Sequence, residues 1–396
     1  MNHLFVTQDF APDLGGMARR HVELARRFGD DEDTMSVSTV AAAGVAEFDE
    51  GENYRIFRQP FPFTKAKMFA NQIRWAKWLT SERSAPYDVL HCGNIRPAGY
   101  PVAWAHYRRG TPYLVYVNGR DLLVERAKCA RSNLKRRTAR YILGNAAGIV
   151  GTSKWVGQLA TDVMREVGVE NPPPVAALDL GTDPVHFHPS RDSGALRRRW
   201  GVGDAPLILT VARLVPHKGQ DMGIRALAML AREFPALRYI LVGEGPDESR
   251  LRALAQELGV AGRVGFVGAM RDDELPEAYA TSTIYLGASR VDEEVSVEGF
   301  GISFLEAAAS GIPSVAGDSG GVRSAVRDGE TGVLVPPTDP EAIVEAIQSL
   351  LLNPDRRARM GHAARRAVET HYNWDRVAKD TREFTHRVLA TGGGAS

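Results

Sequence analysis

Short β-rich runs alternate with longer amphipathic helical patterns along this chain, and the alternation runs through twice. In the first pass the strand patterns cover 3–10, 34–42, 54–59, 88–92, 112–117, 148–153 and 175–180. Helical patterns over 17–28, 69–82, 97–109, 124–143 and 154–168 fill most of the gaps. The second pass has strands at 206–213, 238–243, 263–268, 283–288, 313–317 and 332–336, with helices such as 220–234 and 248–260 between them. Strands separated by helices form parallel sheets covered on both faces, so the expectation is α/β with two doubly wound, Rossmann-like domains. Right-handed crossovers gather the strand-end loops on one side of each sheet, and ligands bind at the carboxyl ends of such strands.

The two passes are separated by 181–206, a stretch rich in Pro, Gly and Asp. This places a boundary near residue 190, giving a first domain over 1–189 and a second over 190–374. After Asn353-Pro354 the chain reads as helical to about residue 390 and ends in a loose TGGGAS tail. A length of 396 residues suits two or three domains. A hydrophobic content of 44% excludes disorder as the main state. With 49 basic against 48 acidic side chains, net charge gives no argument for nucleic acid as a partner. Cys92 and Cys129 are too few for a disulfide framework or a cysteine metal site. The start, MNHLFVTQDF, alternates like a strand and lacks the basic and apolar regions of a secretory leader. No window is apolar enough to cross a membrane. The expected compartment is the cytoplasm.

Three strand-end motifs carry the chemistry. Asp13-Leu14-Gly15-Gly16 lies between the first strand and the first helix. Its glycines let a phosphate approach the backbone N–H groups of a helix start, although a tight turn needs the same residues. Arg213-Leu-Val-Pro-His-Lys218-Gly219 closes the first strand of the second half. Its two cations suit a diphosphate, the Arg as a fork and the Lys as a compact charge. The third motif, EGFGISFLEAAASGIP, runs from Glu298. Gly301, Ile302 and Ser303 open a short Ala-rich helix whose N–H groups favour phosphate. Glu298 precedes that helix and Glu306 lies inside it, so the two carboxylates serve different hydroxyl groups of one ligand.

This last motif resembles the E-x7-E signature of family 4 retaining glycosyltransferases of GT-B fold. The similarity extends to Gly15-Gly16, to Arg213…Lys218-Gly219, to LVGEGP with Gly243, to the FVG turn ending at Gly268, and to GETGVLVPP. It covers nearly the whole chain and implies a nucleotide-diphosphate sugar, UDP- or GDP-linked, as donor. The acceptor would be a hydroxyl of a glycan, a lipid or a small molecule. Arg213 and Lys218 would hold the diphosphate, with no metal or other cofactor required. Glu306 would accept from the ribose. Glu298 would hold the transferred sugar beside the backbone of Phe300, Gly301 and Ile302. Gly268 to Met270 would meet the base, and Gly15-Gly16 would border the diphosphate. The resemblance also implies that the final segment, 375–396, returns to the first domain.

At one position the chain departs from the family. Where many relatives have a His that contacts the donor sugar, this sequence has Asn118, in VNGRD. An amide can position a hydroxyl but cannot relay a proton. The departure leaves room for a sugar-nucleotide epimerase, a phosphorylase-like enzyme or a non-catalytic binding subunit. A dinucleotide oxidoreductase fits least, because the full glycine fingerprint and its acidic partner are missing. His91, closing DVLHC, is a substitute candidate that also reads as a structural histidine. Peripheral contact with an anionic membrane is the remaining partner reading. It rests on Phe69, Trp75 and Trp78 interleaved with Arg74 and Lys77, and on Arg131, Lys135, Arg136, Arg137 and Arg140. Monomer and homodimer both stay open.

Overall fold

The computed structural model describes residues 1–12, 15–30, 32–60, 68–81, 86–292 and 296–392. Asp13 and Leu14 of the first motif, and the last residues of the tail, lie outside this set. Two compact units divide the chain, one formed by Met1–Asp179 with Trp374–Ser396, the other by Leu180–Asn373.

Unit 1 holds a seven-stranded sheet of β1 (Asn2–Val6), β2 (Thr34–Val40), β3 (Arg55–Gln59), β4 (Val89–Cys92), β5 (Tyr113–Val117), β6 (Gly148–Gly151) and β7 (Val175–Ala177). The strand order is β3-β2-β1-β4-β5-β6-β7 and every pairing is parallel. Unit 2 holds β8 (Leu207–Val211), β9 (Arg238–Val242), β10 (Val264–Gly268), β11 (Ile284–Gly287), β12 (Ser314–Gly317) and β13 (Gly332–Val335). Their order is β10-β9-β8-β11-β12-β13, again parallel throughout. Each sheet therefore reverses its winding once, between β1 and β4 in unit 1 and between β8 and β11 in unit 2. Central strands such as β4, β5 and β6 are buried along their whole length. This is why they read as continuous apolar runs rather than alternating ones.

Each sheet has its own core. In unit 1, Leu90, Val115 and Ile149 pack with Trp75 and Val163 from flanking helices. In unit 2, Leu241, Ile284 and Val315 pack with Leu227 and Ile347. Burying a side chain of this size contributes about 1.5–3 kcal/mol.

Several expectations shift at their edges. The first strand ends at Val6 rather than residue 10; the Thr7 N–H still donates to the Ser38 carbonyl of β2 at 3.0 Å, and the loop starts after it. The single helix expected over 124–143 is two, Arg120–Arg131 and Asn133–Gly144. They break at Ser132, which is extended and accepts from the Lys135 N–H as the cap of the second helix. A short helix at Ala46–Gly51 had no pattern to announce it, and none of its residues is buried.

The composition break near residue 190 and the division of contacts differ. Leu180 to His188 go with unit 2 because they are tied there. Phe187 packs edge-on against Tyr279 at 5.6 Å, and Thr182 bridges to Asn373. At the other end, the helix Trp374–Gly392 goes with unit 1. Arg27 donates to Asp375 at 2.9 Å, Arg382 pairs with Asp30 at 3.1 Å, and His386 reaches Asp33 at 2.6 Å.

Candidate functional site

The reversal point of unit 2 brings two of the predicted motifs together. The loop after β8 carries Arg213 to Gly219, and the loop after β11 runs to Gly301. Gly219 has φ +71°, and a Cβ there would overlap the Ala288 carbonyl oxygen, so only glycine lets these two loops touch. The Arg290 N–H donates to the His217 carbonyl at 2.8 Å. The Arg290 guanidinium grips both oxygens of Asp221, at 2.9 and 3.2 Å, in the first turn of the helix Gln220–Leu230. These contacts sew the two loops into one platform.

On that platform the Lys218 ammonium pairs with the Glu298 carboxylate, both largely shielded from water. The Glu298 carbonyl is fixed from behind by the Gly321 N–H at 2.8 Å. Arg213 is exposed and has no side-chain hydrogen bond or ion pair among the described residues. His217, beside them, is pushed down to about 4 by burial and then by the Lys218 charge, so it is neutral at pH 7.

Gly301, at φ +98°, turns the chain into the helix Ile302–Ala309. Glu306 inside this helix is buried and accepts from the Tyr279 hydroxyl at 2.6 Å. The two glutamates thus have different settings, Glu298 beside a lysine and Glu306 against a phenol. Phe300 is buried with its ring toward Tyr372, so its backbone is what it can offer a ligand. Ser303 bonds the buried Tyr285. Gly243 and Gly268 meet across the ends of β9 and β10, the Gly243 N–H donating to the Gly268 carbonyl at 2.8 Å. Met270 follows on a half-exposed loop.

In unit 1, Gly15 and Gly16 are exposed and open the helix Gly16–Phe28. Asn118 directly follows β5, and Gly119, at φ +34°, turns the chain into the next helix. Arg20 and Asp121 surround Asn118. Sequence reasoning passed over both, since an Arg on an amphipathic helix normally reads as solvated. Tyr279, Asp221 and Arg290 were missed for a similar reason, each being set by tertiary contact rather than by local pattern.

His91 is structural. It is fully buried and lies in a chain of hydrogen bonds from Asp33 to Tyr116. Asp33 accepts from His3 Nε2 at 3.2 Å, His3 Nδ1 meets His91 Nε2 at 2.9 Å, and His91 Nδ1 meets the Tyr116 hydroxyl at 2.8 Å. His386, His3 and the Met1 amino group hold the Asp33 carboxyl down at about 2 despite burial. With Asp33 ionised, His3 must donate to it, His91 to His3, and Tyr116 to His91, which fixes both tautomers. Burial pushes His3 and His91 below the usual histidine range. It holds His21, whose Nδ1–H donates to the Asp9 carbonyl at 2.8 Å, at about 3.

A folded-state pKa below the unfolded one makes stability complete above pH about 6.5, and the stability is lost as pH falls toward 3. For His21 alone the loss at pH 4 is about 3 kcal/mol. The thermal midpoint should therefore drop between pH 7 and 4.5, and His21→Asn, which keeps a donor to Asp9, should drop less. An equal drop in both proteins would remove the buried neutral imidazole as the cause.

Known proteins align with this architecture. The profile of the family described as Glycosyl transferases group 1 matches residues 192–367, and that of Glycosyl transferase 4-like domain matches 15–174. A GDP-mannose-dependent alpha-(1-6)-phosphatidylinositol monomannoside mannosyltransferase of Mycolicibacterium smegmatis is 32% identical over 381 residues, 94% of each chain. A D-inositol 3-phosphate glycosyltransferase of Acidothermus cellulolyticus is 33% identical over 330 residues, 80% of this chain and 69% of the relative. Among solved structures, Anabaena Alr3699/HepE in complex with UDP and glucose superposes with a TM-score of 0.77 at 22% identity, covering 98% of this chain and 99% of that one. With relatives of this identity along almost the full length and a shared pair of parallel-sheet units, the chain belongs to the family 4 glycosyltransferases of GT-B fold.

Proposed function

We propose that this glycosyltransferase moves a mannosyl group from GDP-mannose to a hydroxyl of an inositol-containing phospholipid, with retention of anomeric configuration and without a metal ion. The observation that carries the reading is full-length similarity to GDP-mannose-dependent phosphatidylinositol monomannoside mannosyltransferases. The residues at the unit 2 reversal point supply what such a donor needs. Arg213 and Lys218 offer two positive charges to a diphosphate, the role a cation would otherwise fill. Glu306 accepts from the ribose hydroxyls, with Tyr279 holding its carboxylate. Glu298 accepts from hydroxyls of the sugar, and the loop from Gly268 to Met270 meets the base.

In this scheme the bond between the anomeric carbon and the diphosphate oxygen breaks. The acceptor oxygen bonds to that carbon, and its proton passes to the departing phosphate oxygen. Asn118 fits because this route asks no side chain to relay the proton.

A lipid acceptor also accounts for one face of unit 1. The helix Met68–Leu79 exposes Phe69, Ile73, Arg74 and Lys77. The helix Gly99–Arg109 exposes Trp104, Tyr107 and Arg108. Neither helix carries an acidic residue. Cations beside exposed aromatics suit the interface of an anionic bilayer. Trp75, by contrast, is buried core.

One assay tests the reading. Purified protein is offered GDP-mannose, UDP-glucose or ADP-glucose together with phosphatidylinositol or its monomannoside in vesicles, or with D-inositol 3-phosphate in solution. Mannolipid formed from GDP-mannose alone, with the protein floating on those vesicles at low salt and released at high salt, is the expected result. Transfer from a uridine donor, or to a water-soluble acceptor without vesicle binding, would overturn the donor or the membrane part respectively.

A further inference from the structure

The buried groups around Asn118 are arranged so that its side chain can act in only one sense. The Asn118 backbone N–H donates to Asp121 Oδ1 at 2.8 Å, and the same oxygen accepts the Leu122 N–H at 2.8 Å. This carboxylate therefore clamps the end of β5 to the start of the helix Arg120–Arg131. On the other side, Arg20 Nη1 lies 3.4 Å from Asn118 Oδ1. A guanidinium has donors and no acceptor, so the amide must turn its oxygen toward Arg20 and its NH2 away. That Nδ2 is buried and has no hydrogen-bond partner among the described residues.

Arg20 is itself held in place. It is 1% exposed, and its guanidinium lies over the Tyr116 ring at 4.9 Å from the centroid. The Tyr116 hydroxyl is anchored by His91 at 2.8 Å, the last member of the chain that starts at Asp33. Burial lowers Arg20 to about 10, which leaves it charged at neutral pH. Its Nε is a second buried donor without a partner among the described residues. A buried charge and unpaired buried donors are costly, and oxygen-rich groups that bind beside them offset that cost.

We infer that Arg20 is a positioning residue that locks the Asn118 amide as a one-way hydrogen-bond donor, so that Asn118 Nδ2 grips a hydroxyl oxygen of the transferred sugar or of the acceptor. The inference rests on Asn118 being part of the glycosyl-transfer site. It identifies Arg20, one turn into the helix that Gly15-Gly16 opens, as the link between that helix and the β5 end. It also explains how an amide can stand where relatives carry an imidazole, since both then present an N–H.

A double-mutant cycle tests it. Arg20→Gln supplies an acceptor that lets the Asn118 amide turn over, and it should lower kcat/KM about 10-fold or more. Arg20→Lys, still donor-only, should retain most of the activity. In an Asn118→Ala background the Arg20→Gln step should cost no more than about 2-fold, because the group it positions is gone. A purely structural role for Arg20 would cost the same in both backgrounds, and that result overturns the inference. So does an Arg20→Gln variant as active as the parent. If Arg20→Gln fails to fold, judged by its thermal transition, the cycle is read with Arg20→Met, which removes the donor that holds the Asn118 oxygen, at the donor and acceptor KM. A KM raised by Arg20→Met in the parent and unchanged by it in the Asn118→Ala background supports the inference, and an equal rise in both backgrounds overturns it. The source of the oxygen follows from which KM rises in Arg20→Gln, or in Arg20→Met where that variant is read: that of the nucleotide sugar or that of the acceptor. If Asn118→Ala alone keeps full activity, Asn118 leaves the site and Arg20 loses its role with it, while donor transfer by unit 2 still stands.

Discussion

Replacing Lys218 by Ala should lower turnover with the nucleotide sugar by about 100- to 1,000-fold. The ammonium sits in a short turn that Gly219 closes, beside Glu298 and near Arg213, and it is the shielded member of the cation pair. Charge on a leaving diphosphate grows as the anomeric bond breaks. A fixed positive charge in a partly dry setting is then worth more in the transition state than in the ground state. The loss should therefore fall mainly on kcat. Removing Lys218 also leaves Glu298 half-buried without its counter-charge, so the setting of Glu298 is disturbed by the same change. Lys218→Arg should recover only part of the rate, because a planar fork does not replace a compact charge in a turn this tight. The check is kcat and KM with the donor that the product assay identifies, alongside a thermal midpoint showing that unit 2 remains folded. A Lys218→Ala enzyme within about 3-fold of the parent would remove the diphosphate role from this loop.

Much of this site was legible because its pieces are local in sequence. Arg213 to Gly219 is one loop and Glu298 to Glu306 is one loop-plus-helix, and glycine spacing marks each as a strand-end turn. All thirteen strands among the described residues fall on strand patterns read from the sequence, the central ones as apolar runs because parallel strands there bury both faces. Their last residues could not be read that way. Thr7 and Asp9 read as a continuation of β1, yet the Thr7 hydroxyl accepts the Asp9 N–H and meets His21, which turns the chain out of the sheet after Thr7. What stayed hidden depends on distant residues meeting. Arg20 is set by Tyr116, about a hundred positions on, and Asp221 by Arg290. A single sequence contains no sign that an exposed-looking Arg will be buried over an aromatic ring. Asn118 was visible as a departure from the family, but its orientation was not, since that follows from the neighbouring guanidinium.

The second large effect should come from Gly219→Ala, and it should be structural before it is catalytic. Gly219 holds φ +71°, where an L-residue pays about 1–2 kcal/mol in backbone strain alone. Its added methyl would also meet the carbonyl of Ala288, which is backbone and cannot rotate aside as a side chain would. Relief requires the loop after β8 and the loop after β11 to separate. That movement would lengthen the Arg290 N–H to His217 carbonyl bond and strain the Arg290–Asp221 pair. Together these terms put the cost at about 2–4 kcal/mol. For a unit of this size the thermal midpoint should fall by roughly 5–12 °C. Because Lys218 is the neighbouring residue, donor affinity should fall together with stability. Ala at Gly259, also at positive φ but with open space around it, supplies the control. It should pay the backbone strain and leave donor binding unchanged. If both variants lost the same few degrees and bound donor alike, the close approach of the two loops at Gly219 would not be what shapes the site. A larger loss at Gly219, coupled to weaker donor binding, would tie the reversal point of the sheet directly to the grip on the diphosphate.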